Sequence, residues 1–588
     1  MSQMEQLLIE HINIWLAADS EKKTTRGRIS VNSAGVYGIK KLRTLILELA
    51  LRGKLVPQDA DDEPASDLLK RIEAERIQLA TEGLIRKNKS WTNIKEIEAP
   101  YSLPPTWKWV RFGSIAQHNS GKTLDNGRNS GALQEYITTS NLYWGRFDLE
   151  NVRQMPIKDE EFEKCRAKKG DLLICEGGEA GRAAVWPYEK EICFQNHVHR
   201  ARFYCEIDPY FAYHFFEKLN ATGEINQHRK GVAISSMSGK ALAEIFFPLP
   251  PVAEQHRIVA KVNELMAICN QLEAQHRNAA DAHEQLISHL LGTLIQSQDA
   301  AEFNTNWQCI AQYFDTLFTS ESSVDTLKET LLQLAVMGKL VAPDPSDEPA
   351  SKLLERIKIE KSKLIADGKI KKGRPLAFIT DNEKPFNLPQ SWTWARIGEI
   401  VESTEYGISD PTFDVSTGVP VLKMGDIQDG RIILGRQKKV DENIEELPGL
   451  YLKFGDLLYN RTNSAELVGK TGIYEGPNDS YTFASYLIRI RCIESLFSSS
   501  YLNFVMNTPL FRRTQIDPHL KQQCGQANVN GTIMKNMIIP FPSIKEQHRI
   551  VNKIDELMTL CDRLKLRIAD IGQCQKKIAD VLVGNAVS

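Results

Sequence analysis

An internal duplication constrains the fold of this chain more than any other feature. Residues 42–89 read LRTLILELALRGKLVPQDADDEPASDLLKRIEAERIQLATEGLIRKNK, and residues 327–374 read LKETLLQLAVMGKLVAPDPSDEPASKLLERIKIEKSKLIADGKIKKGR. The two segments align without a gap and place Gly338 opposite Gly53; we call the separation of these two glycines the duplication interval. Because self-similarity of this length is the signature of a repeated structural unit, we expect two halves built on one framework.

The two halves agree at their ends and differ between them. Trp392 follows Trp107 by the same duplication interval, and the string EQHRIV occurs at Glu254–Val259 and again, at a slightly larger separation, at Glu546–Val551. A constant frame around different middles is expected if the frame must keep one geometry while the middles contact different things. The duplication therefore predicts a shared scaffold with two distinct binding parts.

The matching ends predict helices. Leu42, Leu45, Ile46 and Leu49 follow helical spacing, and with the segment after Pro64 they predict a helical hairpin in each half. The closing segments repeat apolar residues every 3.5 positions, which predicts a coiled coil, here an antiparallel pair about a pseudo-two-fold axis. A helix of some 25–30 residues would span about 40 Å, near one turn of B-DNA. The seam residues are Ile258, Val262, Leu265, Cys269 and Leu272, and Ile550, Ile554, Leu557, Cys561, Leu564, Ile568 and Ile571.

The middles have a different texture, with short apolar runs separated by Gly, Asn, Asp and Pro, which predicts strands. One helix-like stretch interrupts each, so the fold class is α+β. A short helix is also predicted at residues 9–16, able to dock a partner. The predicted segments are an N-terminal extension (1–41), a helical hairpin (42–98), a first middle domain (99–250), a long helix (251–299), a connector (300–326), a second hairpin (327–385), a second middle domain (386–542) and a second long helix (543–588).

Composition limits the function. The chain has 73 Lys and Arg against 75 Asp and Glu, which disfavours a protein that binds polyanions by bulk positive charge. The 10 cysteines form no C-x-x-C pair, so reduced thiols and no metal site are expected. No stretch approaches the ~20 apolar residues of a membrane helix, and we expect a soluble cytoplasmic protein with no membrane partner.

Three strings in the second half carry a family resemblance. They are GVPVLKMGDIQDGR from Gly418, GDLLYNRTNSAELVGKT from Gly455 and PFPSIKEQHRIV from Pro540. With the two-copy arrangement, which covers the chain from about Leu42 to its C-terminus, they resemble the specificity subunit of a type I restriction-modification enzyme.

The resemblance implies a function. The two middles would be target-recognition domains, each binding one half of an asymmetric split site in double-stranded DNA. Two methyltransferase subunits would act on adenine, and translocating nuclease subunits would join them for restriction. This chain would be non-catalytic and without a cofactor of its own, because AdoMet, ATP and Mg²⁺ would belong to the partners.

Candidate contacts are polar residues at strand ends and loops, since Arg, Asn, Gln, Ser and Thr are suited to hydrogen bonds with base edges. Hydrogen-bonded turns or solvated loops explain the same residues equally well. The candidates in the second middle domain are Lys423, Gln428, Arg431, Asn460, Arg461, Thr462, Asn463, Ser464, Lys470, Gln526, Asn528 and Asn530. Those in the first are Lys122, Thr123, Thr138, Thr139, Ser140, Asn141, Glu176, Arg182, Gln195, Asn196, His199 and Lys230.

Two other hypotheses remain. A duplicated coiled-coil adaptor would join proteins without contacting DNA. A stand-alone nuclease or methyltransferase is disfavoured, because no complete nucleotide-binding loop or aminomethyltransferase motif occurs. The two Glu-Gln-His-Arg strings open equivalent helices, so we interpret them as helix-start or subunit contacts.

Overall fold

The computed structural model describes residues 10–17, 36–85, 94, 99–123, 130–231, 235–523 and 526–587. The chain forms two compact units, of which unit 1 comprises residues 1–280 and 570–588 and unit 2 comprises residues 281–569. Each unit contains one helical hairpin, one middle domain and one end of each long helix. The predicted fold class is confirmed in three respects, since helices and sheets are mixed, two domains are present and the chain contains long helices.

Both predicted helical hairpins are present. Leu42, Leu45 and Ile46 are fully buried, as their spacing predicts. Gly53 and Gly338 end the first helix of each hairpin in the left-handed conformation, with φ of +68° and +71°. A Cβ at either glycine would lie only 2.5 Å from the Cγ of a proline, Pro104 in the first hairpin and Pro389 in the second. The hairpin helices are Tyr37–Leu51 and Ala65–Thr81 in unit 1, and Glu321–Val336 and Ala350–Ala366 in unit 2.

The N-terminal segment packs on its own chain. The helix Ile12–Ala17 lies against the hairpin helix Tyr37–Leu51, and Trp15 is fully buried in the unit 1 core. The approach is close at Gly38, where a Cβ would lie 2.4 Å from the Trp15 carbonyl oxygen. The face of this helix that carries Trp15 is therefore occupied within the chain, and docking of a partner on its exposed face stays a prediction.

The first middle domain contains two four-stranded sheets and a small set of helices. One sheet is antiparallel in the order Ala183–Val185, Leu172–Cys175, Val198–Phe203 and Ala116–Ser120. The other has the order Arg153–Ile157, Ala132–Ile137, Ile192–Phe194 and Arg166–Ala167. Strands Lys108–Arg111 and Phe246–Leu249 pair where the chain enters and leaves the domain. The helices are Phe112–Ile115, Asp159–Cys165, Pro209–Thr222 and Gly239–Ala243, with a 3₁₀ turn at Glu224–Gln227.

The second middle domain repeats this plan with one larger sheet. Its six strands run in the order Val401–Tyr406, Leu487–Cys492, Leu457–Asn460, Thr471–Ile473, Arg431–Ile432 and Ile427–Gln428. A three-stranded sheet has the order Lys439–Val440, Val419–Leu422 and Thr482–Phe483, and Thr393–Arg396 pairs with Ile538–Phe541. The helical segments are Asp381–Glu383, Ile397–Ile400, Met424–Asp426, Leu447–Leu450, Ser499–Met506, Pro509–Phe511, Arg512–Ile516, Asp517–His519 and Gly531–Asn536.

A buried ion pair marks the shared frame of the two domains. Asp171 is 2% exposed and accepts hydrogen bonds from Arg202 Nε (2.8 Å) and Nη2 (2.7 Å). Asp456, also 2% exposed, accepts from Arg491 Nε (2.7 Å) and Nη2 (2.5 Å). Each aspartate lies in a Gly-Asp-Leu-Leu string, at residues 170–173 and 455–458, and the repetition of this string is explained by one structural requirement, since a buried carboxylate needs such a partner.

The long helices exceed the expected length. They run from Val252 to Gln296 and from Ile544 to Val587, 45 and 44 residues. At 1.5 Å per residue a helix of this length spans about 65 Å, so the expected 40 Å is wrong. The predicted seam residues are buried or half-buried except Ile571, which is 57% exposed. Helices Ala300–Gln312 and Phe314–Leu317 form the connector.

The Glu-Gln-His-Arg strings anchor the start of each long helix. Gln255 Oε1 accepts a hydrogen bond from the Asp208 amide (2.9 Å), and its Nε2 donates to the Pro250 carbonyl (2.9 Å). Gln547 makes the equivalent bonds with the Ser498 amide and the Pro542 carbonyl, both 3.0 Å. Their interpretation as helix-start contacts is confirmed. Arg257 and Arg549 add ion pairs to Asp62 and Asp347 of the helical hairpins.

Candidate nucleic-acid interface

Two polar segments of the second middle domain, distant in sequence, meet in one small sheet. Thr462–Asn463 pairs with Gln526–Asn528, which pairs in turn with Lys521–Gln523. We call this sheet the second ribbon. Thr462 Oγ1 donates to Asn528 Oδ1 across it (3.3 Å). The sequence predicts both segments as candidates, and the structure joins them into one polar surface.

Arg461 lies at the base of the second ribbon and is held from several sides. Its guanidinium stacks over the Tyr406 ring at 5.1 Å from the centroid, and Nε donates to the Ser485 carbonyl (2.9 Å). Within the described residues, Nη1 and Nη2 have no hydrogen-bond partner. The half-buried Arg461 therefore presents two fixed donors, the arrangement suited to a paired acceptor edge.

The remaining candidates around the second ribbon divide by exposure. Ser464, Lys470 and Asn528 are exposed, and Asn463 is half-buried. The side chain of Gln526 lies outside the described part of the structure.

Two asparagines near the second ribbon use their side chains for hydrogen bonds within the domain. Asn460 is 2% exposed at the end of its strand, and its Nδ2 donates to the Leu467 carbonyl (3.2 Å). This burial corrects its prediction as a base contact. Asn530 caps the helix Gly531–Asn536, since its Oδ1 accepts from the Thr532 and Ile533 amides.

A tight β-hairpin presents a second group of candidates. Strands Ile427–Gln428 and Arg431–Ile432 are joined by Asp429 and Gly430, whose φ angles of +49° and +76° are those of a two-residue hairpin turn. Gln428 and Arg431 are exposed opposite each other at its end. Lys423, before this hairpin, is half-buried and its Nζ donates to Thr412 Oγ1 (2.7 Å).

The first middle domain has equivalents of both features. Gly177–Gly178 pairs with Ser235–Ser236, and Lys230 forms a bridge to Ser236; we call this the first ribbon. Its strand Gly177–Gly178 precedes Thr462–Asn463 by the duplication interval. Lys230 is exposed at its edge.

The segment Thr138–Asn141 forms a turn beside the first ribbon. Asn141 is 8% exposed, accepts from the Thr138 amide (3.0 Å) and donates to the Asp148 carbonyl (3.0 Å). Its prediction as a DNA contact is corrected, because all of these bonds lie inside the domain. Thr138 and Thr139 are half-buried, Ser140 is exposed, and Arg182 Nη2 donates to the Thr139 carbonyl (2.6 Å).

The loop that contains Lys122 and Thr123 lies beside Gln195 and Asn196. The Lys122 amide donates to the Phe194 carbonyl and the Asn196 amide to the Lys122 carbonyl, both at 3.0 Å. Lys122 Nζ forms an ion pair with Glu161 (2.5 Å), so its charge is already compensated. Gln195 and Asn196 are half-buried.

His199 is a third buried candidate. It is 2% exposed, its Nδ1 lies 3.1 Å from Ser120 Oγ, and burial lowers its pKa, so the ring stays neutral near neutral pH. Because so little of the ring is exposed, it is not placed to contact a duplex, which corrects its prediction as a DNA contact. Within the described residues no group of three or more His, Cys, Asp or Glu is arranged to hold a metal ion.

Two residues that the sequence interpretation omits lie on the equivalent β-hairpin of the first middle domain. Leu142–Tyr143 pairs with Arg146–Phe147, and Tyr143 lies opposite Arg146. The Arg146 guanidinium stacks on the Tyr143 ring at 4.5 Å, and that of Arg182 lies at 5.5 Å. Tyr143 and Arg146 precede Gln428 and Arg431 by the duplication interval. Carrying that interval into the divergent middles would have found them.

These two domains match known proteins. The family model described as the type I restriction modification DNA specificity domain matches residues 104–281 and 389–571, so each match covers a middle domain and the start of its long helix. The fold and the paired interfaces thus define a protein with two DNA specificity domains. The chain belongs to the type I restriction-modification specificity subunit family, and the resemblance stated from its sequence is confirmed.

The similarity to relatives extends over the full chain. The type I restriction enzyme EcoEI specificity subunit of Escherichia coli is 36% identical over 620 residues, and the EcoAI specificity subunit of the same species is 35% identical over 602 residues. Both alignments cover 100% of this chain and of the relative. The crystal structure of the HsdS subunit from Thermoanaerobacter tengcongensis matches with 18% identity and a TM-score of 0.43, covering 83% of this chain and 98% of that one. None of the described helices has the length and apolar character needed to cross a bilayer.

Proposed function

We propose that this chain reads an asymmetric, split DNA sequence, one half with each middle domain. One observation carries the proposal: the same frame in both domains presents a β-hairpin and a ribbon with different side chains at equivalent positions. The β-hairpin carries Tyr143 in one domain and Gln428 in the other, each opposite an arginine, Arg146 or Arg431. Different side chains on one frame specify different base edges, which makes the site non-palindromic.

The long helices are proposed to set the separation of the two half-sites as an antiparallel coiled-coil pair about a pseudo-two-fold axis. The 3.5-residue seam supports this pairing, as does the presence in each unit of the start of one long helix and the end of the other. In DNA-binding proteins with two recognition parts, such a rigid spacer sets the separation of the half-sites.

The partners are proposed from the family. Two methyltransferase subunits would bind the chain and methylate adenine, and translocating nuclease subunits would add restriction. AdoMet, ATP and Mg²⁺ would bind those partners, and this chain would contribute recognition without catalysis, in the cytoplasm.

Selection from a random duplex pool tests the function. The full chain, co-expressed with its methyltransferase partner, should enrich two unlike short blocks at one fixed separation. The single variants Arg461→Ala and Arg146→Ala should each alter one block and leave the other unchanged. Enrichment of no sequence, with the complex still assembled, would instead favour the coiled-coil adaptor.

A further inference from the structure

One position is structurally equivalent in the two middle domains and carries opposite charge. Glu176 directly follows the buried strand Leu172–Cys175, and Arg461 directly follows the buried strand Leu457–Asn460. Arg461 follows Glu176 by the duplication interval. Each residue is also the last one before its ribbon.

The backbone at this position is fixed in the same way in both domains. The Glu176 amide donates to the His197 carbonyl (2.7 Å), and its carbonyl accepts from the Met237 amide (2.8 Å). The Arg461 amide donates to the Tyr486 carbonyl (3.1 Å), and its carbonyl accepts from the Val529 amide (2.9 Å). Because both main-chain groups are bonded to long-range partners, each side chain leaves the frame from a defined point.

The polar atoms of both side chains are available. Arg461 uses Nε internally and keeps Nη1 and Nη2 free among the described residues. Neither carboxylate oxygen of Glu176 accepts a hydrogen bond from a described residue. The neutral His199 ring lies close by, with Nε2 3.8 Å from Oε2, and that buried ring nitrogen has no hydrogen-bond partner in the described structure either.

A carboxylate whose oxygens accept no hydrogen bond, next to a ribbon that would face DNA, lowers affinity for phosphates, so a merely solvated role would be unfavourable there. The same carboxylate favours DNA binding when it accepts a hydrogen bond from a base. In the major groove, guanine offers two acceptors, O6 and N7, that suit an arginine, whereas cytosine offers the N4 amino donor that suits a glutamate.

We propose that Glu176 and Arg461 are the corresponding specificity residues of the two domains, with Glu176 accepting from a cytosine amino group and Arg461 donating to a guanine. The inference rests on the proposed function and adds to it the hydrogen-bond polarity read at one position of each half-site. Opposite polarity at one frame position also gives a direct reason why the two half-sites differ.

Selection with the full chain and its methyltransferase partner tests the assignment. Wild type should select cytosine at one position of one half-site and guanine at one position of the other. Glu176→Gln should shift the first position from cytosine towards adenine, because an amide pairs with adenine N6 and N7, and should lower preference for cytosine about tenfold. Arg461→Lys should relax the guanine preference by a similar factor, because a single ammonium cannot bond both acceptors.

A base analogue separates a direct contact from an indirect one. Duplexes in which the selected cytosine is replaced by a pyrimidinone lacking the exocyclic amino group should bind wild type about tenfold more weakly. The same replacement should change binding by Glu176→Gln much less, since that variant no longer depends on the amino group. Equal losses in wild type and variant would overturn the contact.

One control variant and two comparisons keep the outcomes distinct. Glu189→Gln removes the same charge from a side chain that is 84% exposed and should alter no base preference. A Glu176→Gln chain whose first domain had unfolded would lose every base of one half-site, whereas loss of a single base reports the contact. A wild type that selects a split sequence, with Glu176→Gln selecting the same one, would refute this inference alone; a wild type that selects none would refute the proposed function.

Discussion

At the scale of single residues, two buried glutamines hold the starts of the long helices. Gln255 and Gln547 are fully buried, and each bonds a middle-domain amide and a carbonyl just before its long helix. Each glutamine therefore joins the long helix to the domain preceding it.

We predict that Gln547→Leu loosens the anchor in unit 2. The substitution leaves the Ser498 amide and the Pro542 carbonyl buried without partners, which costs about 1–3 kcal/mol. Hydrogen exchange of the peptide containing Ser498 should accelerate by about tenfold or more. The peptide containing Asp208 serves as an internal control, because Gln255 is intact in the same molecule. Unchanged protection at Ser498 would contradict the prediction.

A pH dependence is expected at the neighbouring glutamate. Burial raises the pKa of Glu254 above its ordinary value of 4.5, although Trp107 Nε1 donates to it at 2.8 Å. A carboxyl whose pKa is higher in the folded chain adds stability that is complete below pH 4.5 and is lost as pH rises through the raised pKa.

Glu254→Gln should therefore flatten the fall in thermal midpoint between about pH 4 and pH 7. The comparison concerns the slope with pH, since the variant also loses a hydrogen bond and has a lower midpoint throughout. Glu189→Gln, at an exposed site, should keep the wild-type slope. Parallel profiles for Glu254→Gln and wild type would exclude this origin.

Residue type predicted some of the interface and not the rest. Arg461 follows a strand that its apolar run predicts, and its position at the ribbon agrees with that analysis. Asn460, Asn141 and His199 have equally suitable side chains but bond inward. Whether a polar residue at a strand end faces inward depends on distant carbonyls and hydroxyls, which local sequence does not contain.

At the scale of elements, helices were predictable and sheets were not. The hairpin and long helices show periodic apolar faces, but the seam reports only their buried part, so it underestimates their length. The ribbons contain very short strands that pair across long stretches of the chain, such as Gly177–Gly178 with Ser235–Ser236. Such short strands have no usable period of their own.

Alanine substitutions at two glycines should change stability in opposite directions, because only one of the two glycines packs against the helix Ile12–Ala17. Ala at position 38 would place its Cβ 2.4 Å from the Trp15 carbonyl oxygen, whereas a Cβ at Gly292 meets nothing within 4 Å. Gly38→Ala should lower the thermal midpoint and speed proteolysis of the N-terminal segment. Gly292→Ala should raise stability by about 0.5–1 kcal/mol, the usual gain within a helix. Equal effects at the two sites would show that the close approach at Gly38 is unimportant.

At the scale of the whole molecule, charge governs how this chain meets DNA. The net charge is −2, so binding cannot rest on a general positive field. The candidate surfaces hold few cations that are free of acidic partners among the described residues. Apart from Arg461, which is assigned to a base, these are Arg146, Lys230, Lys423, Arg431 and Lys470.

The salt dependence of binding should reflect this small number. Five phosphate contacts would give a slope of about −4.5 for log K against log salt concentration. Lys470→Ala should reduce the magnitude of that slope by about 0.9 and leave the selected sequence unchanged. Arg461→Ala should change the sequence selected, because its free donors are assigned to a base. Lys169→Ala, which removes an exposed lysine already paired with Glu189, should affect neither quantity.

A slope much steeper than about −4.5 for the isolated chain would mean that phosphate contacts extend beyond these five residues, whereas a steeper slope only in the complex would assign the additional contacts to the methyltransferase subunits.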